Sequence, residues 1–457
     1  LAIADVQNKI GILNKKTDGT FNVMEFATNG VVDSAAVQNA INSIPVGSIL
    51  KFPKGEYMFD SIQVNKSVTI DLQGSTVTTS TINKNIFEIK GTEESTGYIL
   101  STPAKRNDKK IFLTAAPTGL NPGDLIVLTD DTVRVTDGQP DMNVETHIVA
   151  GYDPIEKSIT LQDYVRLPKS ISSIKNVYKL NPVKNVRIEN AEFKIAEGST
   201  SGICISVENA QWITLRNIKT SRTAGSSVQV KKSYGVTVEN FELYNPQVTG
   251  SGQGYGIQFF GGVNNITVRN GYTNGMRHAV DFSSAFDAYV ENVLAENCVS
   301  SVYVISHNGW AADITFFQCR LMNGVNYGFQ ISSQGVSDPY TVPHYGIKIL
   351  QCEAQMKFDE AIENYGIKFN TPVKESLISG FKTIYGDGNT ISNSSGNAGI
   401  SLMPVQNDLT IENIYVNGFK EGVSLYKGST NIPEINPDDI VRIRNVKVKN
   451  VKDVIVS

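Results

Sequence analysis

The chain has 457 residues, a formal net charge of −4, four cysteines and four histidines. So small a negative charge gives no electrostatic basis for binding nucleic acid or the surface of an anionic membrane. No apolar run is long enough for a membrane-spanning helix, and no Cys/His spacing suggests a metal or another cofactor. The length fits one elongated solenoid with appendages better than several globular domains.

The N-terminal part of the sequence predicts a helix that caps a solenoid. Residues 1–20 are interpreted as a linker or short helix, in a chain expected to be a fragment or processed product because it does not begin with Met. Residues 21–96 predict a capping helix and the first coils. Asp33 suits the N-cap, and Val37 and Ile41 share one apolar face. Such a helix covers open strand edges at the end of a solenoid.

Residues 97–182 interrupt the repeat. The strand-like runs 125–128, 147–150 and 158–161 are separated by turns rich in Pro, Asp and Gly, which is typical of antiparallel hairpins. We predict an inserted hairpin module. Such a module either shapes a binding groove on one face of the solenoid or only braces the solenoid or a subunit contact.

Residues 183–457 predict the main parallel β-helix. The pattern apolar-x-apolar-x-Asn, as in Val186 to Asn190, returns at steps of 22 to 33 residues, apart from one degenerate copy. Each unit is a short strand with one buried face, and Asn suits the tight turn that follows. The repeat therefore predicts an all-β fold, a right-handed parallel β-helix, with the Asn residues stacked in a ladder.

Two outward columns follow from the alternation of side chains along the strands. The first alternates in sign and is assigned to structure, since opposite charges stack favourably: Glu189, Arg216, Glu239, Arg269 and Glu291. The second is rich in amides around one carboxylate: Cys204, Gln229, Gln258, Asp281, Val304, Gln330 and Lys368. Amides donate and accept hydrogen bonds as sugar hydroxyls do, so this column is either a bed for an extended glycan or a self-bonded Gln ladder. The cysteines are expected to be buried free thiols.

A family resemblance enters at the N-terminus. The runs Asn22 to Phe26, Asp33 to Ile41 and Gly47 to Tyr57, the last containing Phe-Pro-Lys-Gly-Glu-Tyr, resemble the entry module of the pectate-lyase-like superfamily. In phage tail spikes and appendages the same module opens the β-helix. The resemblance implies a homotrimeric virion protein of the phage tail that acts at the host cell surface and binds a bacterial surface polymer.

The candidate catalytic residues lie on two neighbouring coils. Arg277, His278 and Asp281 precede or occupy one strand, and His307 and Asp313 follow on the next coil, so stacking brings them within about 5–12 Å. The Arg-His-x-x-Asp pattern followed by x-His-x-Gly resembles β-helical appendages of Bacillus podoviruses that cleave wall teichoic acid. This sequence lacks the acidic residue of that family's Asp-Thr-His-Gly.

Three chemistries fit this group. Two carboxylates, Asp281 and Asp313 with Asp287 and Glu296 in reserve, serve glycoside hydrolysis as acid and base. A base and a cation, His278 and Arg277, would serve a lyase. His and Arg, with or without a metal, would serve phosphodiester cleavage, although no metal site is predicted.

The predicted substrate-binding residues are Gln229, Gln258 and Gln330 of the amide column, with Phe317 and Trp310 as stacking aromatics. The leading hypothesis is a tail spike or appendage that binds and depolymerises a bacterial polysaccharide or teichoic acid. The alternative is a non-catalytic receptor-binding adhesin on the same fold. A secreted pectinase-like enzyme is disfavoured, because the sequence lacks a dense Asp cluster for calcium.

Overall fold

The computed structural model describes residues 19–130, 143–171, 175–250, 252–305, 309–333, 343–359, 361–392, 397–402, 408–425 and 440–456. Residues 1–18, which hold nearly all of the predicted linker or short helix, lie outside this set. Within it, no helix has the length and apolar character needed to cross a membrane.

The chain begins with short strands and one helix that closes the end of the solenoid. Helix α1 spans Ser34–Ser43, and the Asp33 side chain accepts a hydrogen bond from the Ala36 amide at 2.9 Å. Val37 and Ile41 of α1 are buried against the first coils, as predicted. A 3₁₀ helix, Val23–Phe26, precedes α1, and the strands of this part are β1 (Thr20–Asn22), β2 (Ile49–Lys51), β3 (Glu56–Met58), β4 (Ile62–Val64), β5 (Val68–Thr78) and β6 (Phe87–Lys90).

The body of the protein is a right-handed parallel β-helix, as predicted. Each strand pairs in parallel with the equivalent strands of the coils before and after it, and one continuous core runs down the axis. The first strands are β13 (Val183–Lys194), β14 (Ile205–Glu208), β15 (Ala210–Arg222), β16 (Ser226–Lys231), β17 (Tyr234–Tyr244), β18 (Tyr255–Asn274), β19 (His278–Glu296), β20 (Tyr303–Ile305), β21 (Ala312–Phe317), β22 (Arg320–Gly324) and β23 (Tyr327–Ile331). The remaining strands are β24 (His344–Tyr345), β25 (Lys348–Leu350), β26 (Glu353–Met356), β27 (Tyr365–Phe369), β28 (Val373–Lys374), β29 (Ser376–Ser379), β30 (Lys382–Tyr385), β31 (Ala398–Leu402), β32 (Leu409–Asn417), β33 (Glu421–Leu425), β34 (Val441–Lys449) and β35 (Asp453–Val456).

The insertion is a separate antiparallel sheet that packs on the side of the solenoid. Strand β9 contributes to both of its faces, with Ile126 in the insertion's own core and Val127 against Tyr234 of the solenoid. Thr146 fixes the contact, since its hydroxyl donates to the carbonyl oxygen of Ser233 at 2.9 Å. The strands are β7 (Thr92–Tyr98), β8 (Lys110–Phe112), β9 (Leu125–Thr129), β10 (Val144–Asp153), β11 (Ser158–Leu161) and β12 (Val177–Asn181).

The Asn ladder forms as predicted and explains the sequence repeat. Asn217 donates to Asn190 at 2.7 Å, and Asn292 donates to Asn270 at 3.0 Å, each bond linking neighbouring coils. All four residues have left-handed backbones, with φ between 51° and 60°. Asn tolerates this conformation better than most residues, so one side chain satisfies both the turn and the coil-to-coil bond.

The predicted charge row and buried thiols are also confirmed. Glu239 and Arg269 stand opposite each other on neighbouring coils, with the guanidinium 2.6 Å from the carboxylate. All four cysteines are buried and free. The opposite charges stabilise the stacking of coils on the outer surface, and the thiols pack as small apolar groups in the core.

A buried ionic cluster holds the insertion together beside the solenoid. His147 lies 2.8 Å from Asp163 and 3.1 Å from Glu145, which also pairs with Lys169 at 2.5 Å. Burial alone would lower the pKa of His147, but the two carboxylates raise it to about 9. Burial would likewise raise the pKa of Glu145, which Lys169 and His147 instead lower to about 2. His147 and Glu145 are therefore both charged at neutral pH, while burial lowers the pKa of Lys169 against the opposing effect of Glu145.

Two substitutions at one ladder Asn distinguish the contribution of the left-handed turn to stability from that of the coil-to-coil hydrogen bond. We expect Asn270→Ala to lower the free energy of unfolding by about 1–2 kcal/mol, because it loses ladder bonds and strains a left-handed turn. Asn270→Gly keeps the turn relaxed and should cost less than half as much. Denaturant melts of both variants measure the difference, and equal losses would contradict the role of the backbone conformation.

The His147 cluster predicts an alkaline loss of stability. The folded pKa of His147, about 9, lies above its ordinary value of 6.5. Its stabilising contribution is therefore complete below pH 6.5 and is lost as pH rises through about 9. Thermal melts between pH 6.5 and 9.5 should show a falling transition temperature, and His147→Gln should flatten that slope. An unchanged slope in the variant would contradict the assignment.

Candidate functional site

The amide column lies on one sheet face, with one correction to its register. Gln229 pairs with Gln258, and Gln258 with Asp281, on three successive coils. The residue that precedes Gln229 in this column is Ser206 rather than Cys204, which points into the core. The prediction for Cys204 was wrong because the repeat there was aligned two residues too early.

The amides bond to one another and to the carboxylate. The Gln229 amide nitrogen donates to Gln258 at 2.8 Å, and the Gln258 amide nitrogen reaches Asp281 at 3.5 Å. Ser283 also donates to Asp281, at 3.3 Å. The self-bonded ladder is thus realised at this end of the column, with both glutamines half-buried.

Asp281 is completely buried. Burial raises its pKa to about 7, against the opposing effect of the bonds from Ser283 and Gln258 and of the positive charge on Arg277. A carboxyl group that is half protonated near neutral pH can donate or accept a proton. Asp281 therefore has a pKa suited to proton transfer near neutral pH, but its carboxyl group is enclosed.

The other residues of the predicted catalytic group have different surroundings. His278 is buried, with Nδ1 against the carbonyl oxygen of Ser301 and its ring 4.9 Å from that of Tyr255. Arg277 donates to the carbonyl oxygen of Gly250 at 2.5 Å. His307 lies outside the described residues.

Two of the predicted binding residues are not available to a ligand in this structure. Trp310 is 1% exposed and packs between Leu167 of the insertion and Phe286 of the solenoid. Gln330 is buried and donates to Ser332 at 3.2 Å. The prediction that Trp310 stacks on a ligand was wrong, because Leu167 of the insertion covers it. Gln330 keeps its predicted place in the outward column, opposite Val304 and Lys368 on the neighbouring coils, although its side chain is buried.

Asp313 belongs to a different place, where the insertion meets the solenoid. It bonds to Arg106 at 2.8 Å and to Arg166 at 3.0 Å, both contributed by the insertion. Asp287, on the preceding coil, lies 3.1 Å from Arg166. By the pairing of β19 with β21, the two aspartates stand opposite each other on neighbouring coils, with backbones about 4.8 Å apart.

These aspartates line a groove of about 370 Å³, which we call the seam groove. Its lining is mostly polar, and Tyr164 is the side chain that the insertion contributes to it. The solenoid contributes Asn265, Thr267, Asp287, Tyr289, Asp313, Thr315 and Lys348. Unlike Asp281, the side chain of Asp287 is open to solvent, with 47% exposure.

The electrostatics of the seam groove distinguish its two carboxylates. Partial burial and the neighbouring charges of Asp313 and Asp163 raise the pKa of Asp287, although Arg166 opposes the rise. The charge on Asp313 is compensated by two guanidinium groups. Asp287 also pairs with Arg166 but keeps an exposed side chain, so its raised pKa and its access to solvent suit it to proton transfer.

Phe317 lies close to this groove. Its ring stacks on that of Tyr289 with centroids 6.4 Å apart, and Tyr289 is 39% exposed. The predicted position of Phe317 in the charge row is confirmed, since it stands opposite Glu291. The pair presents an aromatic surface at the edge of the seam groove, which suits contact with a sugar ring.

Sequence reasoning missed Arg106, Arg166 and Tyr164. All three come from the insertion. The two arginines lie at least 147 residues from Asp313 in the sequence, and no repeat connects the insertion to the coils. Asp287 was a reserve candidate. The feature that could have identified Asp287 is its position at a turn, since Asp287 and Asp313 both have left-handed backbones. Within the described residues, no group of three or more His, Cys, Asp or Glu side chains is arranged to hold a metal.

Asp281 predicts a stability that falls as pH rises. Its folded pKa, about 7, is above its ordinary value of 3.8. The native state then holds a proton that the unfolded chain has lost, so stability declines between pH 4 and 7 and stays low above. We expect Asp281→Asn to raise the free energy of unfolding at pH 8 by about 2–4 kcal/mol and to change it little at pH 4. Denaturant melts at both values test this, and equal effects would contradict it.

The fold has known counterparts, although no protein-family profile and no curated protein sequence matches the chain. The tailspike of Pseudomonas phage phi297 is 14% identical, with a TM-score of 0.62 over 94% of this chain and 81% of that one. The tailspike of Acinetobacter baumannii bacteriophage AP22, solved with a capsular saccharide, is 12% identical, with a TM-score of 0.56 over 92% and 77%. The Streptococcus pneumoniae surface adhesin PfbA is 13% identical, with a TM-score of 0.60 over 96% and 100%. At these identities the likeness establishes the shared fold, a right-handed parallel β-helix.

Proposed function

We propose that the chain is the β-helical part of a phage tail spike or appendage that binds a bacterial surface glycopolymer and cleaves it. The observation that carries this proposal is the seam groove, in which an accessible carboxyl group, Asp287, stands one coil from Asp313. The likeness to tailspikes, one of them solved with a capsular saccharide, supports the same reading. The protein would act at the host cell surface as part of the virion.

The proposed reaction is hydrolysis of a glycosidic or related bond. Asp287, with its raised pKa, would protonate the leaving oxygen, since a general acid must hold its proton near the working pH. Asp313, oriented by Arg106 and Arg166, would act as the general base. It would take a proton from the attacking water, whose oxygen bonds to the reacting carbon or phosphorus as the bond to the leaving oxygen breaks. Because the residues lie on adjacent coils, they flank one position of a polymer in the groove. A polysaccharide and a wall teichoic acid are both candidate substrates, and a homotrimer is the proposed assembly.

The second candidate function is a non-catalytic adhesin that binds the same kind of polymer. Two observations favour it. Asp313 is held by two ion pairs, so its oxygens are engaged before any substrate arrives. The adhesin PfbA shares the fold over its full solved length. On this alternative the seam groove is only a binding site.

The enzyme proposal predicts that Asp287→Asn abolishes polymer shortening. The assay incubates the protein with capsular polysaccharides and wall teichoic acids purified from Gram-positive cells and follows polymer length by size-exclusion chromatography. We expect at least a hundredfold loss of rate, because an amide cannot donate the acid's proton. Asp408→Asn is the matched control, since Asp408 has the same left-handed backbone and an arginine partner but lies outside the groove.

The outcomes separate the candidate sites. Shortening by the wild type that survives Asp287→Asn but not Asp281→Asn would move the chemistry to the buried amide column. Shortening that survives both would exclude both carboxylates as catalytic acids. Binding of a polymer without any shortening would replace the enzyme with the adhesin.

A further inference from the structure

A second depression lies on the same face of the solenoid as the seam groove. It measures about 390 Å³ and is lined by Asn185, Arg187, Trp212, Thr214, Gly235 and Thr237. We call it the Trp212 depression. Trp212 is one of only two tryptophans in the chain, and it is 42% exposed.

The Trp212 depression and the seam groove are joined by one column of outward side chains. Thr214 pairs with Thr237, and Thr237 pairs with Thr267, which already lines the seam groove. The column continues through Tyr289 to Thr315. The side chains of the threonines are half-buried, so their hydroxyl groups form a polar track parallel to the solenoid axis. Hydroxyls that donate and accept suit a polyhydroxylated chain.

The backbone of Trp212 is unusual for so large a residue. It lies at a corner within β15 (Ala210–Arg222), where the neighbouring coils have left-handed residues suited to a tight turn. The equivalent positions hold Asn, Gly and Asp, as at Asn185, Gly235 and Asp287. Trp212 adopts the same conformation, with φ of 60°. A bulky residue in this region is strained, which points to a use for the side chain rather than for the turn.

The indole is held rigidly in place by its neighbours. A Cβ atom at Gly235 would lie 2.2 Å from Cε3 of Trp212, so the absence of a side chain on the next coil leaves room for the ring. Tyr234 packs against the indole edge-on, with centroids 5.5 Å apart, and is itself wedged against the insertion. A rigid, half-exposed aromatic ring beside polar groups loses little entropy when it stacks on a ligand.

We propose that Trp212 is an aromatic binding platform for the polymer that occupies the seam groove, and that the polymer lies parallel to the solenoid axis. This inference rests on the proposed function. Trp212 stands three coils from Asp287, through Gly235 and Asn265, which corresponds to about 14 Å. The extended chain would stack on the indole, follow the threonine track and present one bond to the carboxylates. Trp212 binds substrate at a distance from the reacting bond.

Fluorescence provides a direct test. Trp310 is 1% exposed and Trp212 is 42% exposed, so acrylamide quenches mainly Trp212. The polymer of the capsular and teichoic acid panel that the wild type shortens or binds should protect this fluorescence from quenching. Trp212→Phe removes the signal and identifies its source. Tyr152→Ala, which removes an exposed aromatic of the insertion, should leave protection unchanged.

The steady-state test uses Trp212→Asn, which suits the left-handed turn. We expect its melting temperature to equal or exceed that of the wild type, with KM for the long polymer raised about tenfold and kcat little changed. Fragments too short to span three coils should show no difference between variant and wild type. If Trp212→Asn fails to fold, Trp212→Phe takes its place, with a smaller rise in KM.

Each outcome decides a separate question. Shortening without protection, or equal KM values on long polymer, would overturn the platform and leave the proposed enzyme standing. A KM effect of the same size on short fragments would place Trp212 at the reaction site and overturn the axial path. Protection of the Trp212 fluorescence without shortening of the polymer would keep Trp212 as a binding platform, in a non-catalytic adhesin. Neither protection nor shortening with any polymer would remove the proposed function and the inference together.

Discussion

The structure depends on the parallel hydrogen-bonded register between successive coils. This register repeats about every 4.8 Å, so each side chain faces an equivalent side chain above and below it. The stacked side chains of one column must therefore attract one another, or at least not repel. Asn217 and Asn190 meet this condition by bonding to each other, and Glu239 meets it by facing Arg269. The stack of Asp287 on Asp313 does not meet it, since like charges in register repel.

The insertion resolves that conflict. Arg166 lies 3.1 Å from Asp287 and 3.0 Å from Asp313, so one guanidinium group compensates both carboxylates. Arg106 adds a second compensating charge and reaches Glu375 at 3.1 Å. The insertion therefore does more than brace the solenoid, because the aspartate stack would be unfavourable without it. The insertion both contacts the solenoid and lines the seam groove through Tyr164, and a binding role for that groove stays a proposal.

Periodicity in the sequence predicted what the register controls and nothing beyond it. The fold, the Asn ladder and the pairing of Gln229, Gln258 and Asp281 followed from spacing alone. The placement of Cys204 failed because the repeat was aligned two residues too early, since Ser206 occupies that position. The burial of Trp310 depends on Leu167 of the insertion. Contacts between the two units join residues far apart in sequence that share no repeat, so no local pattern contains them.

The departures from the repeat are more informative about function than the repeat itself. A residue that resembles the other members of its column stabilises the fold. A residue that differs from them lowers the stability of the fold, and another role of that residue must offset the loss. Asp281 places an ionisable group in a fully buried position, which raises its pKa to about 7. Trp212 places a bulky ring at a left-handed turn that Asn or Gly would occupy without strain. Both lie on faces that also carry accessible polar columns, and only Trp212 is exposed. The exposed departure is therefore the one that a polymer outside the solenoid can contact without any rearrangement of the protein.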